Sequence, residues 1–281
     1  DGLLGDKKDL GITCALIPTS THGIEIGSRH MPVGAVFMNG PTRGKDVFIP
    51  MDWIIGGQER IGQGWRRLMQ SLAAGRSISL PALGTSGGKM AALMSGAYAR
   101  IRKQFDLPIG QFEGIEEPLA RIGGRTYRMD SARMLTLVAL DQGERPGVLS
   151  AILKYQLTEE NWSCVNDAMD IHGGKGIITG PGNYLAHGYQ ALPISITVEG
   201  ANILTRSLII FGQGAIRAHP WLLKEMDAAR DPRPGARKTF DRVIFSHAGH
   251  IITNLVRSWM LGISRGYATR PPVSGPTAYY F

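Results

Sequence analysis

The sequence of 281 residues predicts a mainly α fold with a β segment at its start, and one change of pattern carries that prediction. Residues 1–58 contain short runs rich in β-branched residues, cut by Gly, Pro and Asn, which is typical of antiparallel strands. From about residue 59, apolar residues recur at helical spacing. We therefore predict a partial β domain over 1–58, a helical domain over 59–219 and a further helical extension over 220–281.

The β segment is expected to be small. Its predicted strands cover 10–17, 23–27, 33–38 and 46–50, with another apolar run at 53–55. These are too few strands to close a barrel, so they predict part of an antiparallel domain rather than a complete one.

Four long amphipathic helices are predicted next, and together they indicate a helix bundle. The first stretch runs over 64–101, with Pro81 and Gly87-Gly88 predicting a kink or break inside it. The other helices are expected over about 116–140, 148–171 and 199–217, and an extra apolar helix over about 243–263.

Composition narrows the classes of function. The net charge of +8 favours anionic partners, but the basic residues are dispersed and no nucleic-acid-binding motif is present, so no nucleic acid partner is predicted. A CoA thioester or a dinucleotide suits diffuse positive charge. Cys14 and Cys164 lie far apart, and His247 and His250 lack further ligands nearby, so no disulfide framework and no metal are predicted. No apolar run reaches about 18 residues, and we expect a cytoplasmic protein.

Glu199 is the first charged residue after the apolar run 193–198, and it precedes the apolar stretch 203–216. A carboxylate in such a place is a candidate general base, although an acid that opens a helix also interacts favourably with the helix dipole. Arg76 follows Gly75 inside an otherwise uncharged helical stretch. It is either exposed at the surface, which is the commoner case, or directed at an anion.

Two further patterns suit a phosphate-containing ligand. The segment 100–105 ends a predicted helix with three cations and an aromatic residue, although cations also favour helix C-termini for their own sake. The segment 170–176 ends another helix with two adjacent glycines, which allow close approach of a ligand to the backbone. A glycine C-cap alone would also account for it.

Taken in this order, with the β segment ahead of them, these patterns resemble the acyl-CoA dehydrogenase family, and in particular its long bacterial fatty-acid-degradation branch. The resemblance extends over about residues 11–219, and 220–281 resemble the start of the C-terminal region of that branch. It implies a fragment that lacks the N-terminal half of such a protein and the end of its extension.

The resemblance also implies roles for individual residues. Glu199 stands where the family has the base that removes the α-proton of a fatty acyl-CoA, while FAD takes the β-hydrogen as hydride. Arg76 and Gly200 stand at substrate-binding positions. The positions implied for FAD binding are Arg102, Gln104, Phe105, Asp170, His172, Gly173, Gly174, Ala201 and Asn202.

The same resemblance implies partners. An electron-transfer flavoprotein is the expected electron acceptor, and FAD contacts from a neighbouring subunit imply a homo-oligomer, a dimer or a tetramer. Three alternatives stay open: an acyl-CoA oxidase that passes electrons to O₂, a non-catalytic helical interaction module on the same scaffold, and a peripheral location at the inner membrane.

Overall fold

The computed structural model describes residues 9–35, 39–267, 269–270 and 274–275. Its contacts divide the chain into two units, residues 1–210 and residues 211–281. The first unit begins with a small β segment and continues as a helix bundle, and the second is helical. The predicted fold class, mainly α with a β segment, is therefore confirmed. The domain boundaries predicted at 58/59 and 219/220 stay predictions.

The β segment is smaller than the sequence suggests. Strand β1 (Ile24–Ile26) pairs antiparallel with β2 (Thr42–Gly44), and an isolated bridge joins Ala15 to Ile54. The strands predicted over 10–17 and 46–50 do not form, since their residues, apart from the bridge at Ala15, lie in irregular chain. The predicted strand 33–38 begins instead in a short 3₁₀ turn, and its residues 36–38 lie outside the described residues.

The bundle consists of four long helices that pack on one another. They are α1 (Gly64–Ser77), α2 (Ser79–Ile101), α3 (Glu113–Asp141) and α4 (Gly147–His172). The bounds predicted for the second and third helices, now α3 and α4, hold to within three residues. The core between α2, α3 and α4 includes Ala91, Ile122, Met129, Leu153, Leu157 and Ala168.

The break in the first helical stretch falls at Ile78, not at Pro81 or at the glycine pair 87–88 as predicted. Pro81 lies in the first turn of α2, where its missing N–H costs no hydrogen bond. Gly84, Gly87 and Gly88 are sites where α2 packs closely against its neighbours. A Cβ placed on Gly84 would lie 2.6 Å from the backbone carbonyl oxygen of Leu157 on α4.

A short β-hairpin follows α2. Strand β3 (Lys103–Gln104) pairs with β4 (Leu107–Pro108), and both turn residues, Phe105 and Asp106, have left-handed backbone angles. Arg102 is therefore extended chain between the helix and the hairpin, and not part of the helix as the 100–105 pattern suggested.

The predicted fourth helix, 199–217, starts later than expected and is irregular. Helix α5 (Gly174–Ile177) and α6 (Ala186–Thr197) come first, and α6 packs on α4. After the turn 198–201, α7 (Asn202–Leu204) continues into a π-helical segment, Thr205–Ala215, and then α8 (Ile216–Ala218). The π-helical segment spans the division between the two units.

In the second unit, α9 (Leu222–Arg230) packs against α10 (Ala236–Ile263), which contains the apolar helix predicted over 243–263. His247 on α10 donates a hydrogen bond from Nδ1 to Glu225 on α9, at 2.6 Å. Among the described helices none is both long and apolar enough to cross a membrane alone. One bent pair, Ala186–Thr197 with Asn202–Ala218, has the length and composition to do so.

Candidate active site

Glu199 lies in the turn 198–201, three residues before α7 begins, rather than inside a helix. Its φ is +54°, and that of Gly200 is +94°. Two successive left-handed residues cannot continue a right-handed helix, which explains why the predicted fourth helix does not begin at Glu199. For Glu199 this conformation costs roughly 1–2 kcal/mol, so the surrounding contacts must hold it.

Arg76, on the last turn of α1, supplies one of those contacts. Its side chain is buried, at 4% exposure, and Nε donates a hydrogen bond to the backbone carbonyl of Glu199 at 2.8 Å. Burial lowers the pKa of Arg76, and the nearby Glu199 carboxylate opposes that shift. Because Arg76 is buried and bonded, the alternative of a surface arginine is wrong.

The carboxylate of Glu199 lies directly against Gly75. A Cβ placed on Gly75 would be 2.7 Å from Oε2 and 2.8 Å from Oε1 of Glu199, so no larger residue fits there without moving the carboxylate. Oε2 is buried and has no hydrogen-bond partner among the described residues. An unpaired buried carboxylate oxygen is costly for a fold and needs an explanation, of which a catalytic role is one.

Lys154 on α4 also belongs to this site, although the sequence did not single it out. Its side chain is fully buried, and Nζ donates to the carbonyls of Ile196 and Gly200, both at 2.9 Å, and to Oδ1 of Asn202 at 2.6 Å. Burial, and secondarily the charge of Arg76, lower the pKa of Lys154 to about 8.

Asn202 and Ala201 differ in which of their groups are available to contact FAD. The Asn202 side chain is buried, and its amide nitrogen donates to Thr158 Oγ1 and Glu159 Oε1 at 3.0 and 2.8 Å. Only the backbone of Asn202 is left for the predicted FAD contact, whereas Ala201 is exposed. Both assignments stay predictions.

Five of the predicted FAD-binding residues line one open cleft of about 620 Å³ beside the C-terminal end of α4. They come from two distant parts of the sequence, and they are Arg102, Gln104, His172, Gly173 and Gly174. The other four do not line it: Ala201 and Asn202 lie at the turn 198–201 and beside it, and the remaining two are exposed. Asp170 is exposed outside the cleft, and Phe105 is 87% exposed and packs edge-on against Phe112.

His172 closes the inner side of this cleft. Its ring is buried, stacks on Tyr98 with centroids 4.3 Å apart, and donates from Nδ1 to the carbonyl of Ala168 at 2.7 Å. Because that carbonyl can only accept, Nδ1 carries the proton and Nε2 accepts from the Tyr184 hydroxyl at 2.7 Å. Burial lowers the pKa of His172, which favours this neutral form of the ring.

The mouth of the cleft suits an anionic ligand. A Cβ placed on Gly173 or Gly174 would meet nothing within 4 Å, so their backbone is open to a ligand. Arg102 and Lys175 bring positive charge to the same cleft. Exposed glycine backbone together with cations is a typical phosphate-binding combination, and these residues fit the diphosphate of FAD.

Comparison with protein families gives two matches. Residues 62–211, more than half of the chain, match the family described as "Acyl-CoA dehydrogenase, C-terminal domain". Residues 216–281 match "Acyl-CoA dehydrogenase, C-terminal, bacterial type".

Two relatives illustrate the range of similarity. Protein HemX of Proteus mirabilis is 59% identical over 97 residues, which cover 34% of this chain and 57% of that protein. The probable acyl-CoA dehydrogenase FadE10 of Mycobacterium tuberculosis is 29% identical over 220 residues, which cover 74% of this chain and 33% of that protein. The matched region thus spans between a third and somewhat over half of these relatives.

Solved structures share the fold. A glutaryl-coenzyme A dehydrogenase in complex with glutaryl-CoA matches 73% of this chain and 51% of its own, with a TM-score of 0.64 and 25% identity. The FAD complex of PigA matches 74% and 53%, with a TM-score of 0.65 and 24% identity. These structures show the shared fold, and the family match over residues 62–211, joined by that over 216–281, shows that this chain belongs to the acyl-CoA dehydrogenase family.

Proposed function

We propose that the full-length protein carrying this chain catalyses FAD-dependent α,β-dehydrogenation of a fatty acyl-CoA to a trans-2-enoyl-CoA in β-oxidation, with Glu199 as the base. The observation that carries this proposal is the carboxylate of Glu199. Its Oε2 is buried against Gly75 and has no hydrogen-bond partner in the described part of the chain, while Arg76 bonds to the carbonyl of Glu199 and Lys154 to those of Ile196 and Gly200.

These features suit proton abstraction. A carboxylate oxygen that donors in the protein do not occupy is available to accept the α-proton of a thioester. Within the described residues, the N–H of Glu199 donates to no backbone carbonyl, so it can polarise the thioester carbonyl and stabilise the charge that develops there. Arg76 is expected to help shape the acyl pocket and Gly200 to let the substrate pass close to the backbone.

The cleft at residues 102–104 and 172–174 supports FAD as the cofactor, because its glycine backbone and cations suit a diphosphate. FAD, when bound, supplies the acceptor for the hydride that leaves Cβ. The α-proton goes to Glu199, and the electron pair of the broken Cα–H bond forms the new Cα=Cβ bond. Electron-transfer flavoprotein is the proposed onward acceptor, and a homo-oligomer is the proposed assembly.

The test uses the full-length protein and its Glu199→Gln variant. Anaerobic mixing with octanoyl- or palmitoyl-CoA is expected to bleach the flavin of the wild type. The flavin of the variant should bleach at least about 10²-fold more slowly, with the FAD content unchanged. Glu117→Gln is the matched control, because Glu117 is a solvent-exposed carboxylate on α3. Bleaching of Glu199→Gln at the wild-type rate would remove Glu199 as the base.

Two additions separate the rival functions. A high yield of hydrogen peroxide under air would identify an acyl-CoA oxidase instead of a dehydrogenase. Absence of bleaching in the wild type with every thioester from butyryl- to palmitoyl-CoA would favour the non-catalytic interaction module. The same series gives the preferred chain length.

A further inference from the structure

The buried lysine of α4, Lys154, ties together both ends of the turn that carries Glu199. Its ammonium donates to the carbonyl of Ile196, at the end of α6, and to the carbonyl of Gly200 and the side chain of Asn202 on the far side of the turn. An ammonium has three N–H donors, so these three acceptors satisfy all of them. The lysine is thereby committed to the turn.

Two of the groups that accept hydrogen bonds from Lys154, the Asn202 side chain and the Gly200 carbonyl, are held by further hydrogen bonds. Asn202 is held in place by hydrogen bonds from its amide nitrogen to Thr158 and Glu159, one and just over one helical turn beyond Lys154 on α4. The hydroxyl of Thr205 also donates to the carbonyl of Gly200, at 3.1 Å. The turn is therefore bonded to α4 through side chains on both partners, and a shift of α4 would move the turn with it.

Charge explains why a lysine is tolerated there. Among the described residues, the charged groups that act on Lys154 are Arg76 on α1, Glu159 on its own helix and Glu199 on the turn. The two carboxylates favour the ammonium, whereas burial and Arg76 disfavour it. A lone buried ammonium is strongly unfavourable, so a fully buried lysine needs the oxygen ligands found here.

We propose that Lys154 is the positioning residue of Glu199: its ammonium clamps the 198–201 turn in the left-handed conformation that places the carboxylate against Gly75. The role in proton transfer rests on the proposed function, but the clamp itself does not. Lys154 acts through the turn and takes no proton from the substrate. Loss of the clamp should let the turn relax, because Glu199 is strained in its present conformation.

The pH dependence of such a clamp has a definite direction. The Lys154 pKa of about 8 means that the ammonium loses a proton as the pH rises through 8. The neutral amine has two N–H donors for three acceptors, so one oxygen of the turn loses its partner. The rate of flavin reduction should therefore fall above about pH 8 in the wild type.

The first experiment replaces Lys154 by Met in the full-length protein, which keeps the apolar stem but removes every donor. We expect flavin reduction by acyl-CoA to slow by about 10²-fold, which is the cost of roughly 1 Å of misplacement of the base. KM should change little, and the fall in rate above about pH 8, the alkaline limb of the profile, should disappear. Lys89→Met is the control, since Lys89 is half exposed and pairs with Asp130 at the surface. A residue important only for folding would lower the rate at every pH and leave the alkaline limb in place.

The second readout does not depend on activity. Hydrogen–deuterium exchange of a peptide covering 196–204 should be at least about tenfold faster in Lys154→Met than in the wild type, and unchanged in Lys89→Met. Should Lys154→Met not fold, the wild type carries the test, because protection of this peptide, corrected for intrinsic exchange, should fall between pH 7 and pH 9. Constant protection across that range would then overturn the proposal.

The outcomes separate the two proposals. If the wild type is reduced and Lys154→Met matches it in rate, pH profile and exchange, the clamp is wrong and the proposed function stands. If no acyl-CoA reduces the wild type but exchange at 196–204 rises in Lys154→Met, the clamp stands and the proposed function is wrong.

Discussion

Replacing Gly75 by Ala would test whether catalysis depends on the contact between the Glu199 carboxylate and α1. The new Cβ would lie 2.7 Å from Oε2, whereas ordinary contact begins at 3.4 Å, so the carboxylate must retreat by about 0.7 Å. Misplacement of a reacting group by 1 Å costs on the order of 10²-fold in rate. We therefore expect flavin reduction to slow by about 10- to 100-fold.

Stability should respond differently from rate. The atoms that must move are the end of a flexible side chain, and Ala is the better helix former by about 0.5–1 kcal/mol. The free energy of unfolding should thus change by less than about 1 kcal/mol. A large loss of rate without a loss of stability is the signature of a displaced base.

The assay combines anaerobic stopped-flow bleaching of the flavin with urea denaturation and a measurement of FAD content. Gly96→Ala on α2 is the matched control, because its new Cβ meets nothing within 4 Å; it should keep the wild-type rate. A wild-type rate in Gly75→Ala would refute the placement of the Glu199 carboxylate and the reasoning built on it.

Three further predictions follow from other parts of the structure. In His172→Phe, the decline of stability below about pH 6.5 should flatten, because the lowered pKa of His172 means that the unfolded chain takes up this proton at a higher pH than the folded chain. Urea unfolding at pH 5 and pH 7 measures this. Gly84→Ala should lower the free energy of unfolding by about 1–3 kcal/mol, because its Cβ would meet the backbone of α4 and not a movable side chain. Arg102→Ala should weaken FAD binding about tenfold in fluorescence titrations, most strongly at low salt, whereas Arg100→Ala, outside the cleft lining, should not.

Long periodic segments made the helices predictable. Over α3 and α4 the apolar spacing continues for more than 25 residues, so the predicted and observed bounds nearly agree. The break at Ile78 was missed because nothing in its local sequence marks it, while Pro81 and the glycine pair gave stronger signals. Those signals reflect helix-start geometry and close helix packing, which a single sequence does not distinguish from a kink.

In the candidate site, too, residues marked by a sequence pattern could be predicted, whereas a residue whose role depends on distant contacts could not. Glu199, Arg76 and the glycine pair 173–174 could be proposed because, in their order along the chain, they resemble the pattern of the acyl-CoA dehydrogenase family, although each context alone also suits a structural role. Lys154 could not, since a lysine in an amphipathic helix is ordinarily a solvent-facing residue. Its burial depends on acceptors 42 to 48 residues away in sequence, which only the fold brings to it.

The position of Glu199 outside the helix changes how its placement should be understood. A base in the first turn of a helix would be held by the backbone hydrogen bonds of that helix. In the observed turn, two cationic side chains hold it instead. Arg76 and Lys154 bond to backbone carbonyls near the carboxylate, and no residue that the structure describes bonds to its Oε2. The two cations thus fix the position of the base without occupying the oxygen that must take the proton, which is the arrangement a proton acceptor requires.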